Sequence, residues 1–319
     1  MSSPVAHDDS YIPVAVATLI PATVTPFSLF LRDDTHYRLF RDANFPFDIG
    51  DRDRLLQKGV TRLYVTNGNL DRYKSYLRTQ LDGLLADETL PVRERLGGLN
   101  EVVRNVLQED FARGDSARIV NSAKTLAEQT VQAICKTDAV ASDLFSVMHH
   151  DYQTFTHSAN VTYLSVFLAS QLGLAADDLR QIAAGALLHD LGKLQISDRI
   201  LNKNGSLNVS ELAVIKRHPT VGFEALSKRS DLSWGQLMMV YQHHEDWQGG
   251  GYPVGSVGAE IHLWARVCTV ADVFEALTAN RPYRKGMPRA EALGLMGGRM
   301  KDKFEPEILQ CFQTAIQPS

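Results

Sequence analysis

The stretch "GALLHDLGKL", residues 185–194, places His189, Asp190 and Lys193 at the end of an otherwise apolar helical run. A carboxylate beside an imidazole is costly to bury unless something neutralises and orients the pair. Four other segments offer partners of the same kind. They are His157 in "HSANVTYLSVFLASQLGL", His218 in "NVSELAVIKRHP", His243 and His244 in "SWGQLMMVYQHHE", and Asp272 in "RVCTVADVFEALTA". No thiolate clusters with them. Nitrogen and oxygen donors of this sort suit Fe, Mn, Zn, Ni or Co, and not a cysteine-rich structural zinc site. Five histidines and two aspartates are too many for one ion, whereas two ions about 3.5–4 Å apart, bridged by Asp190, use them economically. Water bridging such a pair has its pKa lowered to about 7 and becomes a nucleophile at neutral pH, a disposition suited to phosphate-ester hydrolysis.

Taken singly, these residues have bland readings. His157 or His218 alone is a core histidine with a satisfied hydrogen bond, and His243-His244 alone is a solvated helix end. His7, His36, His149, His150 and His262 have no co-located partners and keep the structural reading. Joint occurrence decides for the seven, because buried His-Asp and His-His pairs on separate helices need a cation to hold them.

Helical spacing puts His157 on the side of Val161, Leu164 and Leu168, so it points inward. His189 and Asp190 follow Ile182, Ala183, Ala186 and Leu187, and Gly192 is expected to end that helix. An Asn208-x-x-Glu211 capping box opens a helix expected to run to His218 before Pro219. Ser233-x-x-Gln236 opens another, through Leu237, Val240 and Tyr241 to the His243-His244 pair. Asp272 lies in a helix whose apolar content implies burial.

The wider chain has three parts. Residues 1–90 read as a small α+β domain. Its strand signals are "YIPVAVATL", "FSLFLR", "HYRLF" and "VTRLYVT", with a helical "DRDRLLQKG" before the last and a helix from Asn67 whose face carries Leu70, Tyr73, Leu77 and Leu81. Residues 91–148 read as amphipathic connecting helices, open to two readings, a bundle or a dimer surface. Residues 149–319 read as helical apart from the Gly249-Gly250-Gly251 loop. The fold class is therefore mainly α with a small α+β domain in front.

Composition narrows the function classes. The chain has 319 residues, 44% hydrophobic and 22% charged, with a net charge of −4, ordinary for a soluble globular protein. Nothing in that charge calls for DNA or a membrane surface. Cys135, Cys268 and Cys311 are far apart and form no CxxC, which suits a reducing cytosol. The opening segment lacks a basic n-region, and Pro13, Pro21 and Pro26 break it too often to span a bilayer. A cytoplasmic protein is the expectation.

Three segments then match a family. "HDLGKLQISDRILNKNGSLNVSELAVIKRHPTVG", "HHEDWQGGGYPVG" and "ARVCTVADVFEALTANRPYRKGMP" resemble the HD-GYP domains of bacterial cyclic di-GMP signalling, from about Asp151 to "KFEPEILQCF". The resemblance implies an all-helical HD-superfamily domain over 149–319 that hydrolyses cyclic di-GMP, by way of pGpG, to GMP. By position, His157, His189, Asp190, His218, His243, His244 and Asp272 match the family's metal ligands, with Asp190 the bridging one. Two divalent ions are implied, Fe or Mn first among them. Lys193 matches a lysine near the scissile phosphate, where a cation offsets charge on the phosphoryl oxygens. Tyr252, Arg281 and Arg284 match positions that contact the dinucleotide.

Two places depart from the pattern. Gln153 stands where some members carry a third-metal Glu, so two ions are expected. Gln248 precedes the GYP glycines where an acid or Asn is usual, and the glycine triplet reads as a flexible loop. Two rival readings stay open at this point: an HD-superfamily hydrolase for another nucleotide, and a slow cyclic di-GMP receptor or interaction module, for instance with a diguanylate cyclase as partner.

Overall fold

The computed structural model describes residues 11–21, 23–33, 36–135, 140–148, 154–201, 203, 205–280 and 285–316. Contacts divide the chain into two units, Met1–Val102 and Val103–Ser319. The division falls inside a helix, not at a loop.

The first unit holds β1 (Tyr11–Ala15), β2 (Thr23–Val24), β3 (Leu29–Asp33), β4 (His36–Arg41), β5 (Pro46–Phe47), α1 (Ile49–Gln57), β6 (Arg62–Thr66) and α2 (Leu70–Ala86). Four strands form an antiparallel sheet in the order β1-β6-β3-β4, and β2 pairs with β5. Strand alternation sends Val14, Leu63 and Val65 to one buried face. Pairing of Pro13 and Phe30 with Tyr64, and of Arg32 with Tyr37, puts the aromatic rings on the other face. There Tyr11 stacks on Tyr37 at 3.9 Å. From α2, Tyr73, Leu77, Leu81 and Leu84 enter the core, and the Tyr73 hydroxyl bonds Thr18 at 2.8 Å. An Asp48–Asp51 capping box starts α1, and Asp51 is buried against Arg41 and Arg54.

Helix α3 (Val92–Arg113) crosses into the second unit, which continues with α4 (Ser116–Cys135), α5 (Ala141–Val147), α6 (Thr154–Gln171) and α7 (Ala176–Leu188). After these come α8 (Asp198–Leu201), α9 (Val209–Ile215), α10 (His218–Leu226), α11 (Trp234–Gln242), α12 (Leu263–Thr278), α13 (Arg289–Gly297) and α14 (Pro306–Ala315). From Thr156 to Ala169 every residue of α6 is buried. A helix buried all round belongs at a core's centre, and α6 packs against α4, α7, α12 and α14. No helix among the described residues is long and apolar enough to cross a membrane.

The helix ends differ from expectation in ways that matter for chemistry. His157 sits within α6, one turn past Thr154. Helix α7 stops at Leu188 with His189 as its cap, and Asp190 leads into a separate 3₁₀ turn, Leu191–Gln195. Gly192 therefore does not end the helix, and its φ is not positive. It is small because a side chain there would collide with backbone of His218 and Gly222. The helix expected to reach His218 breaks after Ile215, and His218 opens α10 with Pro219 in its first turn, where a missing N–H costs nothing. The Asn208–Glu211 and Ser233–Gln236 capping boxes form as expected.

Candidate functional site

Helix ends deliver the site. His189 caps α7, His218 opens α10, His243 caps α11 and His244 follows it, while His157 and Asp272 come from the bodies of α6 and α12. Three rings are oriented alike. Nδ1 of His189 donates to the Ala186 carbonyl at 2.6 Å, that of His218 to Ile215 at 2.8 Å, and that of His243 to Met239 at 3.0 Å. A carbonyl only accepts, so each Nδ1 holds the proton and each Nε2 is turned inward.

These rings surround Asp190, which is 1% exposed. Its Oδ1 lies 3.2 Å from His218 Nε2 and 4.0 Å from His243 Nε2. Its Oδ2 lies 3.5 Å from both His157 Nε2 and His189 Nε2, and 2.5 Å from Lys193 Nζ. Asp272 meets His157 Nε2 at 3.0 Å and His244 Nδ1 at 3.7 Å. Donor atoms group within 4.8 Å as His218, His243 and His244, as His157, His189 and Asp272, and as His189, Asp190 and His243.

Protonation follows from these contacts. Burial opposes charge on Asp190, but the Lys193 ammonium and the His189 and His218 contacts together overcome it and hold the carboxyl well below the usual range. Burial likewise opposes charge on Asp272, and the hydrogen bond and charge of His157 with the neighbouring His244 and His189 together overcome it. His157 is held well above the ordinary imidazole value because Glu275 and Asp272 together overcome its burial. Burial lowers His189, lowers His243 further, and pushes His244 down to about 3. These last three are neutral rings at pH 7.

Does the donor set fit a cation? The Nε2 atoms of His218 and His243 face each other at 3.2 Å while both Nδ1 atoms donate elsewhere. His189 Nε2 and Asp190 Oδ1 are buried without a hydrogen-bond partner. Inward-turned ring nitrogens and buried acceptors without partners, crowded into one space, favour something electropositive among them. Divalent ions with imidazole and carboxylate ligands fit.

Two residues at the site, Glu275 and Glu245, were not found from the sequence. Glu275 is 2% exposed and accepts from His157 Nδ1 at 2.5 Å and from Asn160 Nδ2 at 3.0 Å. It stands one helical turn beyond Asp272, a buried acid in an apolar helix, which was the available clue. Glu245, 1% exposed, accepts from the backbone N–H of Val254 at 2.8 Å and of Gly255 at 3.0 Å. That clamp holds the loop bearing Tyr252, whose ring stacks on His244 at 4.7 Å. Burial, with Asp272 and Asp190 nearby, keeps the Tyr252 phenol protonated.

The glycine triplet has a geometric reason. Gly249 and Gly250 take φ of +89° and +90°, and a side chain on Gly251 would strike the backbone of His244, Glu245 and Asp246. Gln248 bonds through its N–H to the Asp302 carbonyl at 3.0 Å. The loop is tied down at both ends.

Of the residues expected from sequence, His157, His189, Asp190, Lys193, His218, His243, His244 and Asp272 come together, and Tyr252 adjoins them. Arg281, Arg284 and Gln153 lie outside the described residues. His36 is exposed, and His262 caps α12, accepting from the Trp264 N–H at 3.2 Å.

A helical core organised around a His-Asp pair defines the class, and the comparisons agree. The family model described as the HD domain matches residues 118–308, and the chain belongs to that family. It is 34% identical over 194 residues to the cyclic di-GMP phosphodiesterase PA4108 of Pseudomonas aeruginosa, covering 61% of this chain and 47% of that one. Against the cyclic di-GMP phosphodiesterase response regulator RpfG of Xanthomonas campestris it is 37% identical over 166 residues, 51% of this chain and 44% of the relative. A 3'3'-cGAMP-specific phosphodiesterase 3 of Vibrio cholerae is 37% identical over 163 residues, 51% of this chain and 35% of that protein. The chain thus spans less than half the length of these curated relatives. Among solved structures, Bd1817, an HDG"Y"P protein from Bdellovibrio bacteriovorus, superposes with a TM-score of 0.66 at 22% identity, over 96% of this chain and 99% of that one. That likeness is one of fold.

Proposed function

We propose that the protein is a metal-dependent phosphodiesterase that hydrolyses cyclic di-GMP to pGpG, to GMP, or to both. The observation that carries this reading is the meeting of His218 and His243 Nε2 at 3.2 Å beside Asp190. His157, His189 and Asp272 would hold one divalent ion and His218, His243 and His244 a second, with Asp190 reaching both sets through its two oxygens. When bound, such ions, Fe or Mn foremost, polarise a phosphate ester and lower the pKa of water to about 7.

The chain's own residues supply the rest. Neutral His189, His243 and His244 keep lone pairs available at pH 7. Asp190 keeps Lys193 aimed at the cluster, where its ammonium offsets charge growing on phosphoryl oxygens. Tyr252 offers a neutral ring at the margin of the cluster for a base to stack on. Arg281 and Arg284 are assigned to phosphate oxygens, which planar guanidinium groups suit.

Relatives named for cyclic di-GMP support the substrate class, and the one named for 3'3'-cGAMP puts a second cyclic dinucleotide beside it. The test is a panel of cyclic di-GMP, cGAMP, pGpG and cyclic mononucleotides, with products separated by chromatography and metal measured on the same anaerobic preparation. The expected result is guanine-nucleotide release from cyclic di-GMP with two ions per chain. Tight binding of cyclic di-GMP without release would replace the enzyme with a receptor, and turnover confined to mononucleotides would overturn the substrate class.

A further inference from the structure

Lys216 closes α9, and its side chain is exposed. Nothing in α9 is buried. From there the Lys216 ammonium reaches the ring of Tyr252, 5.2 Å from its centroid, and that ring in turn stacks on His244 at 4.7 Å. The ammonium thus lies within about 10 Å of a ring in the histidine cluster, with an aromatic face between. Among the described residues no carboxylate forms an ion pair with it. Its neighbours differ: Lys193 is held by Asp190 at 2.5 Å and Lys203 by Glu211 at 2.6 Å.

Tyr252 is not free to swing. Glu245 takes the N–H groups of Val254 and Gly255, and the Tyr252 N–H donates to the His244 carbonyl at 3.1 Å. The ring therefore offers a fixed platform, and a cation is parked on it by a contact that is weak at an exposed site. An ammonium held so loosely is ready to trade the ring for an oxyanion, since charge-assisted hydrogen bonds are stronger.

We propose that Lys216 is a specificity-determining residue that binds the second, non-reacting phosphate of a dinucleotide whose first phosphate lies at the His-Asp cluster. This rests on the phosphodiesterase reading above. Lys193 serves the reacting phosphate, and Lys216, across Tyr252, serves the phosphate one nucleotide away. A substrate with a single phosphate gains nothing from it.

The test compares Lys216→Ala and Lys216→Arg with the wild type on cyclic di-GMP and on bis(4-nitrophenyl) phosphate, a diester with one phosphate, at matched metal content. Lys216→Ala is expected to lower the ratio of kcat/KM for cyclic di-GMP over that for bis(4-nitrophenyl) phosphate by about tenfold. The loss falls in KM, it shrinks as salt is raised, and Lys216→Arg restores most of it. An unchanged ratio overturns the assignment, whether both substrates fall together or neither moves. So does a loss confined to kcat. Wild-type turnover of bis(4-nitrophenyl) phosphate without any dinucleotide turnover overturns the underlying reading itself, which is a distinct result.

Discussion

Asp190 is surrounded by four histidine rings and a lysine within hydrogen-bond or ion-pair range, so its removal acts on both metal and fold. Deleting one partner of a buried charged pair leaves the other uncompensated, at a cost of about 3–5 kcal/mol. Asp190→Ala is accordingly expected to lose bound metal and activity together, with a lower melting temperature. Asp190→Asn, which keeps the shape, is expected to lose metal by elemental analysis with less effect on melting. Lys193→Ala is the counter-case. Its side chain is 14% exposed and is no ligand, so metal stays while kcat falls, by about 10²–10³-fold if it acts as other oxyanion donors do. Retention of two ions by Asp190→Ala would dismiss the proposed ligand set.

Glu275 works one step behind. Bonded to His157 Nδ1 and steadied by Asn160, it fixes the ring so that Nε2 faces Asp190 and Asp272. Loss of such an outer partner typically weakens metal affinity about 10- to 100-fold. Glu275→Gln is expected to do so in a chelator competition, with little change in helix content.

At the level of elements, the site depends on two turns pressed together. The 3₁₀ turn carrying Lys193 packs on α10 so closely that Gly192 lies against His218 and Gly222 backbone, and Gly222 in turn against Val240. Gly192→Ala must part them. Overpacking of this kind costs about 1–3 kcal/mol, and here it also pulls His218 from Asp190. The expected outcome is a lowered melting temperature together with metal loss, whereas Gly294→Ala, where a side chain meets open space, changes neither.

Those turns also mark where sequence was and was not legible. His189-Asp190 and His243-His244 stood out because two donors side by side on an apolar helix are hard to explain otherwise. Capping boxes at Asn208 and Ser233 located helix starts from four residues each. The break at Lys216-Arg217 was hidden, since "ELAVIKRHP" keeps a helical period through it and only Pro219 hints at a restart. Glu275 and His157 are 118 residues apart, and one acid in a helix has no local spacing that points to so distant a partner. Glu245 binds backbone N–H groups, which leave no mark in residue types at all. The strands of the first unit were legible by alternation, but the β1-β6-β3-β4 order was not, because pairing between distant strands is set by tertiary packing.

For the molecule as a whole, the cluster ties folding to pH. His244, held at about 3, and His189 and His243, also lowered, stay neutral in the folded chain while an unfolded imidazole takes up a proton near pH 6.5. Between about 6.5 and 3 the unfolded state therefore binds more protons, and stability of the metal-free protein falls as pH falls. His157 runs the other way. Its folded pKa is raised, so its contribution is complete below 6.5 and is lost as pH rises through the folded value. Metal-free protein melted across pH 4–9 is expected to lose stability on the acid side in proportion to the buried neutral rings. His244→Gln is expected to flatten that acid limb, and His157→Gln to flatten the alkaline one. Excess Mn²⁺ is expected to raise the whole curve near neutrality, because an ion that binds only the folded state stabilises it by mass action, and the rise is expected to fade towards acid as protons compete for the same nitrogens. An acid limb unaltered by His244→Gln would mean that this ring is charged or solvated in the folded protein, contrary to its place beneath Tyr252.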